Sequence, residues 1–138
     1  MCPKEFVSLQ KQLSDMRETV IISNTNELVR MRAERIIYVQ SDGNYSTFVL
    51  NDKTEQVFTM NLARCMEELE RQLGREAQAF IRIGKSLIVN RRYIYRVNVQ
   101  RQHLVMSDLT ENQAFTLQAS KEALRQLKAL LEAEGRES

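Results

Sequence analysis

Apolar residues along this chain follow two rhythms. Phe6, Leu9, Leu13, Met16 and Val20 recur in alternating steps of three and four, an a/d-type stripe that predicts a short amphipathic helix. Two heptads are marginal alone, which favours a lid packed on its own domain over a helix that joins two copies of the chain. Both readings stay open. From Thr19 onward the rhythm shortens. Thr19 to Ser23, Glu27 to Met31 and Ile36 to Gln40 are rich in Val, Ile and Leu and predict strands. Ser41-Asp42-Gly43-Asn44 is a strong turn signal, Tyr45 to Leu50 returns as a strand, and Asn51-Asp52 turns the chain again before Glu55 to Met60.

The clearest helix comes next. Asn61 suits an N-cap, Leu62, Met66, Leu69 and Leu73 line one face with Cys65 at its border, and Gly74 suits the left-handed residue that ends a helix. Cys65 therefore reads as a small core residue, not as a reactive thiol. Strands follow at Ala79 to Ile83, Leu87 to Val89, Tyr93 to Val99, His103 to Ser107 and Ala114 to Gln118, with Gln100-Arg101-Gln102 as a hairpin tip. Alternation places Tyr95, Val97 and Val99 on one core-facing side. Ser120 can cap a final helix whose apolar face is Leu124, Leu127 and Leu131. Many short strands with one internal and one terminal helix predict a mainly β fold, and no β-α-β-α alternation suggests a doubly wound sheet.

A chain of 138 residues fits one domain with a core of its own, and one Pro and four Gly leave no linker or low-complexity tract. The expected division is an N-terminal arm over residues 1–17 and a domain over 18–138. Cys2 and Cys65 make no disulfide framework. No apolar run is long enough to cross a bilayer and no secretory leader is recognisable, so a cytoplasmic protein without a membrane partner is expected.

Net charge is only +2, but its distribution is uneven. Between residues 75 and 101, Arg75, Arg82, Lys85, Arg91, Arg92, Arg96 and Arg101 stand against Glu76 alone, a net +6 within 27 residues. Such a window is the footprint expected for a phosphate backbone. The competing reading, a solvated basic face without a partner, carries similar weight on charge alone.

Catalysis has little to build on. His103 is the only histidine, expected on a hairpin strand and pointing to solvent, which excludes multi-histidine metal sites and any triad not built on it. There is no Gly-rich phosphate loop and no Cys-x-x-Cys pair, and Asp42, Asp52 and Asp108 fall where turns favour Asp. Neither an enzyme nor a cofactor is expected.

One stretch carries more information than charge does. Phe80-Ile81-Arg82-Ile83-Gly84-Lys85-Ser86-Leu87-Ile88-Val89-Asn90 resembles the signature of the LytTR DNA-binding family, and Arg35 to Ser46 resembles that family's first segment. The helix Asn61 to Leu73 and the closing Ala119-Ser120-Lys121 stand in the family's order, so the resemblance spans roughly residues 18 to 131. It implies an elongated fold of small antiparallel sheets bridged by one short helix, with loops that enter successive major grooves of double-stranded DNA and regulate transcription. Members are usually effector domains of response regulators. With fewer than 20 residues ahead of the domain, no receiver domain is expected here.

Carried onto this sequence, the resemblance implies base contacts by Tyr45, Lys85 and Lys121, and backbone clamps by Arg82, Arg91 and Arg92. Lys85 and Lys121 have the reach and charge for guanine acceptors or phosphate. Tyr45 reads equally as a DNA contact or as a core aromatic. Ser86, Asn90 and Asn44 suit structural roles in turns. Two departures stand out: the family's signature His is Gly84, and its closing Arg is Lys121, which lacks the bidentate fork. Backbone affinity is expected to survive these changes and base selectivity to shift. A second function class remains, a protein-interaction module that modulates another regulator and docks through the stripe from Phe6 to Val20.

Overall fold

A computed structural model describes residues 18–108 and 113–137. The expected helical stripe from Phe6 to Met16 lies outside the described residues, and Val20 at its end belongs to the first strand. Ten strands and two α-helices make up the described fold: β1 (Thr19–Ser23), β2 (Leu28–Arg32), β3 (Ile36–Asp42), β4 (Tyr45–Leu50), β5 (Glu55–Phe58), α1 (Leu62–Leu73), β6 (Phe80–Ile83), β7 (Leu87–Asn90), β8 (Ile94–Asn98), β9 (His103–Asp108), β10 (Gln113–Gln118) and α2 (Lys121–Glu137). All pairings are antiparallel, in a β1-β2 hairpin, a five-stranded sheet of order β5-β4-β3-β7-β6, and a three-stranded sheet of order β10-β9-β8. The mainly β architecture expected from the sequence is the one observed.

The five-stranded sheet is the middle layer. One face carries Val39, Phe48, Leu50 and Ile88 into a core shared with α1 and the β1-β2 hairpin, where Val20, Met31, Cys65 and Leu69 are buried. The other face carries Ile37, Val89, Leu87 and Ile83 into a second core, closed by Leu104, Met106 and Leu117 of the smaller sheet and by Leu124 and Leu127 of α2. A strand with apolar residues on both faces reads as a continuous apolar run, and β7 is buried at all four positions. On β3 the pairing register shifts between Ile36 and Tyr38, so the consecutive Ile37 and Tyr38 both serve the second core while Ile36 and Val39 serve the first.

The same device corrects one expectation. Tyr95 does not share the core-facing side with Val97 and Val99. The β8–β9 register shifts between Ile94 and Arg96, and this leaves Tyr95 outside the alternation with 69% of its surface exposed. Val97 and Val99 pack against the second core as expected.

Helix α1 begins and ends as its sequence implies. Asn61 Oδ1 accepts the Arg64 N–H at 2.8 Å, and Gly74 follows the last turn at φ +59°. Its Gln72 then holds the hairpin. The Gln72 carboxamide accepts from the Ile21 N–H and donates to the Ile21 carbonyl, both at 2.7 Å, as a neighbouring strand would. Glu68 Oε2 accepts a third bond from Gln72 Nε2 at 2.8 Å and also pairs with Arg71.

These contacts predict two measurements. Replacing Gln72 with Ala removes both bonds to Ile21 and is expected to lower stability by about 1–2 kcal/mol in urea unfolding. The Gln72 bond, and after it the arginine contacts, hold the Glu68 carboxyl below its ordinary range. A depressed carboxyl contributes stability that is complete above the ordinary glutamate value and is lost as pH falls through the folded-state value. Stability of the unaltered protein should therefore drop further between about pH 5 and pH 3 than that of Glu68→Gln.

Candidate nucleic-acid interface

Four connections meet at one end of the molecule. The β3–β4 turn and the β6–β7 turn lie side by side, because β3 and β7 pair with Gln40 opposite Leu87. Ser41 N–H donates to the Ser86 carbonyl across them at 2.8 Å. The β8–β9 turn adjoins the junction between β10 and α2, since Gln118 pairs with His103 and the Ala119 N–H donates to the Gln102 carbonyl at 3.3 Å. The two pairs close on each other around a cleft of about 370 Å³ between Gly84-Lys85-Ser86 and Gln118-Ala119-Ser120.

Local chemistry fixes each connection. Gly43 and Gly84 turn the chain at φ +65° and +60°, conformations that glycine enters without cost from a Cβ. Ser41 Oγ lies 3.2 Å from the Tyr45 carbonyl. In the β8–β9 turn, Asn98 Oδ1 accepts the Arg101 N–H at 3.0 Å. At the junction, Ser120 Oγ accepts the Ala123 N–H at 3.1 Å and caps α2, as its sequence implies.

Tyr45, Lys85 and Lys121 come together at this end although 40 and 36 residues separate them along the chain. Tyr45 is 56% exposed at the first position of β4 and is not a core aromatic. Lys85 and Lys121 are exposed and form no ion pair among the described residues. Asp42 and Glu122 are also exposed here, so the local excess of positive charge is modest.

The arginines sort differently. Arg82 is exposed on β6 and forms no ion pair among the described residues. Arg91 and Arg92 follow β7 and so lie at its far end, away from the turns. Arg91 is half-buried and ion-paired to Glu134 of α2, with its Nε buried and without a partner. Arg92 reaches Glu76 at 3.4 Å. Lys121 to Glu134 spans about 20 Å of helix, which measures how far the Arg91 pair stands from the turn end.

Asn90 bonds only backbone. Its Nδ2 donates to the Ile36 carbonyl at 3.0 Å and its Oδ1 accepts the Arg92 N–H at 3.1 Å, so this buried amide ties β7 to the start of β3. His103 is half-buried at the start of β9.

Two cations at or beside this end were not singled out as contacts in the sequence. Arg101 is exposed at the β8–β9 tip, and the bond from Ala119 to Gln102 brings that tip beside Lys121. Arg125 is exposed, one helical turn after Lys121 on the same face of α2, and forms no ion pair among the described residues. The four-residue spacing signals Arg125. Nothing local signals Arg101, whose place depends on how the smaller sheet packs.

The LytTr DNA-binding domain family model matches residues 26–132, which include all four connections at the turn end. Among solved structures the chain is similar to a LytTr DNA-binding domain from Bacillus cereus, with 16% identity and a TM-score of 0.55, over 83% of this chain and 96% of that one. A comparison with curated proteins finds no match. The match over most of the chain and the shared fold agree: this chain belongs to the LytTr DNA-binding domain family.

Proposed function

We propose that this chain is a sequence-specific DNA-binding regulator of transcription that presents its turn end to duplex DNA. The observation that carries the reading is the convergence of Tyr45, Lys85 and Lys121, three exposed side chains from three connections, on the turn end of the molecule. In this reading the turns enter successive major grooves. Lys85 and Lys121 reach base acceptors, and Tyr45 meets a thymine methyl or donates its hydroxyl to phosphate. Lys121 sits in the first turn of α2, where the helix dipole adds positive potential and an approaching phosphate is favoured.

Arg82 serves as a backbone clamp without rearrangement, since no carboxylate among the described residues holds it. Arg91 and Arg92 contact phosphate only after leaving Glu134 and Glu76. Their exchange of one anion for another adds little net attraction, so their share of the affinity is smaller than that of Arg82. Gly84 removes a side chain from the centre of the interface, which leaves base reading there to Lys85 and its neighbours. Regulators that act in pairs on repeated half-sites read repeats separated by about 10–10.5 bp or a multiple.

Selection from a random duplex library, followed by anisotropy titrations over a salt series, tests the reading. Enrichment of one motif, with binding that weakens steeply as salt rises, is the expected result. Weak binding of selected and scrambled duplexes with equal salt slopes would replace the regulator with the protein-interaction module. Lys85→Ala is expected to lose about tenfold or more in affinity for the selected site and to discriminate less against the scrambled one. Arg82→Ala should weaken both duplexes alike and reduce the salt slope by about one, whereas Arg92→Ala should change it less. Gly84→Ala forces a Cβ into the left-handed region without a clash, since Ala123 Cβ would stand 3.9 Å away. A loss of about 1–2 kcal/mol in urea unfolding is expected, with an unchanged slope.

A further inference from the structure

Helices α1 and α2 each carry one apolar residue beyond what the two cores bury. On α1, Leu62, Cys65, Leu69 and Leu73 are buried, and Met66 beside them is only half-buried. On α2, Leu124 and Leu127 are buried, whereas Leu130 is 40% exposed. Met66 and Leu130 line the same groove, of about 540 Å³, which runs over Phe80, Ile81 and Arg82 of β6. β6 is the last strand of its sheet, so the groove follows an edge, and sheet edges are commonly covered by a helix or a loop.

The described chain begins beside this groove. Glu18 lines a smaller cavity with Ala79 and Phe80, and Phe80 also lines the groove. Residues 1–17 precede it in the sequence and carry the apolar stripe Phe6, Leu9, Leu13 and Met16, with Arg17 alone between Met16 and Glu18. We propose that this stripe seats as a helix in the groove of its own chain, with Leu9 and Leu13 against Met66 and Leu130. From Phe6 to Met16 a helix rises about 15 Å and β6 runs about 13 Å, so the one covers the other. A cavity of about 150 Å³ holds a benzene ring, so the groove has room for about three or four apolar side chains.

Two other occupants fit less well. Arg82 and Arg91 stand against Glu70 and Glu134 around the groove, and this balanced charge offers a phosphate backbone little attraction. The arm of a second copy could meet the same surface, but it must come from solution, whereas one linking residue holds the chain's own arm at high local concentration. DNA is served at the other end. Leu130 stands about 14 Å of helix beyond Lys121, so the seated arm leaves the turns uncovered. Arg82 lends its aliphatic stem to the seat and keeps its charge in water for phosphate.

The test unfolds the full chain in urea as Leu13→Ala, Leu130→Ala and the double variant. Each single change should lower the folding equilibrium constant about tenfold. Both together should also lower it about tenfold, and not about a hundredfold, since each removes the same contact. Lys11→Ala, on the opposite side of the arm from the stripe, should leave it unchanged. In the unaltered chain, NMR should show nuclear Overhauser contacts from the Leu9 and Leu13 methyl groups to Met66 and Leu130, and sedimentation should give the mass of one chain. The proposal is overturned if Leu13→Ala leaves stability unchanged, or if the two losses add. It is equally overturned if the coupling and the NMR contacts appear only in a dimer that dissociates on dilution, which would assign the groove to the arm of a second copy. No DNA enters these measurements, so either failure leaves the DNA-binding reading standing.

Discussion

Ile88 and Val89 are adjacent in sequence and belong to different cores. Because side chains alternate along a strand, burying both requires a layer on each side of β7, and the rest of the molecule supplies those layers. Helix α1 and the β1-β2 hairpin cover one face, while the smaller sheet and α2 cover the other. Asn90 ends the strand with two bonds to backbone, so a polar residue enters this doubly covered region without an unmet partner. The sandwich fixes where β7 begins as well as where it ends, and it begins at the turn that carries Lys85.

This explains why the candidate interface is built on turns yet is not loosely held. Each turn is the end of a strand whose other residues are locked in a core, and the turns bond to one another through Ser41 to Ser86 and Ala119 to Gln102. Helix α2 begins at the same end, so a shift of Lys121 would have to move a helix whose Leu124 and Leu127 are buried. The charge follows a second rule. Cations at the turn end form no ion pair among the described residues, whereas Arg91 and Arg92, at the far end of β7, are matched by Glu134 and Glu76. Basic residues clustered along the sequence are thus divided in space into an available set and a neutralised set.

The strands and helices were largely legible in the sequence. Thr19–Ser23 and Tyr45–Leu50 stand where the apolar runs placed them, and Asn61, Gly74 and Ser120 bound the helices as their chemistry implies. Tyr95 was not legible, because a register shift in pairing with β9 depends on a partner strand that periodicity within β8 cannot report. The meeting of Tyr45, Lys85 and Lys121 was reachable only through family resemblance. Their proximity depends on β7 inserting beside β3, with Leu87 pairing opposite Gln40 47 positions away, and no local pattern encodes that choice. The pairing of Arg91 with Glu134, 43 residues away, escaped for the same reason.

The hairpin shows how a local sequence acquires meaning from its neighbours. Read alone, Leu28 to Arg32 is an ordinary strand with Leu28, Arg30 and Arg32 outward and Val29 and Met31 inward. Two-stranded ribbons are marginal in water, and this one persists because Val20 and Met31 are buried against α1 while Gln72 occupies the edge of β1. A side-chain amide on a helix can satisfy only one residue of a strand edge, and it does so on the side where the helix packs.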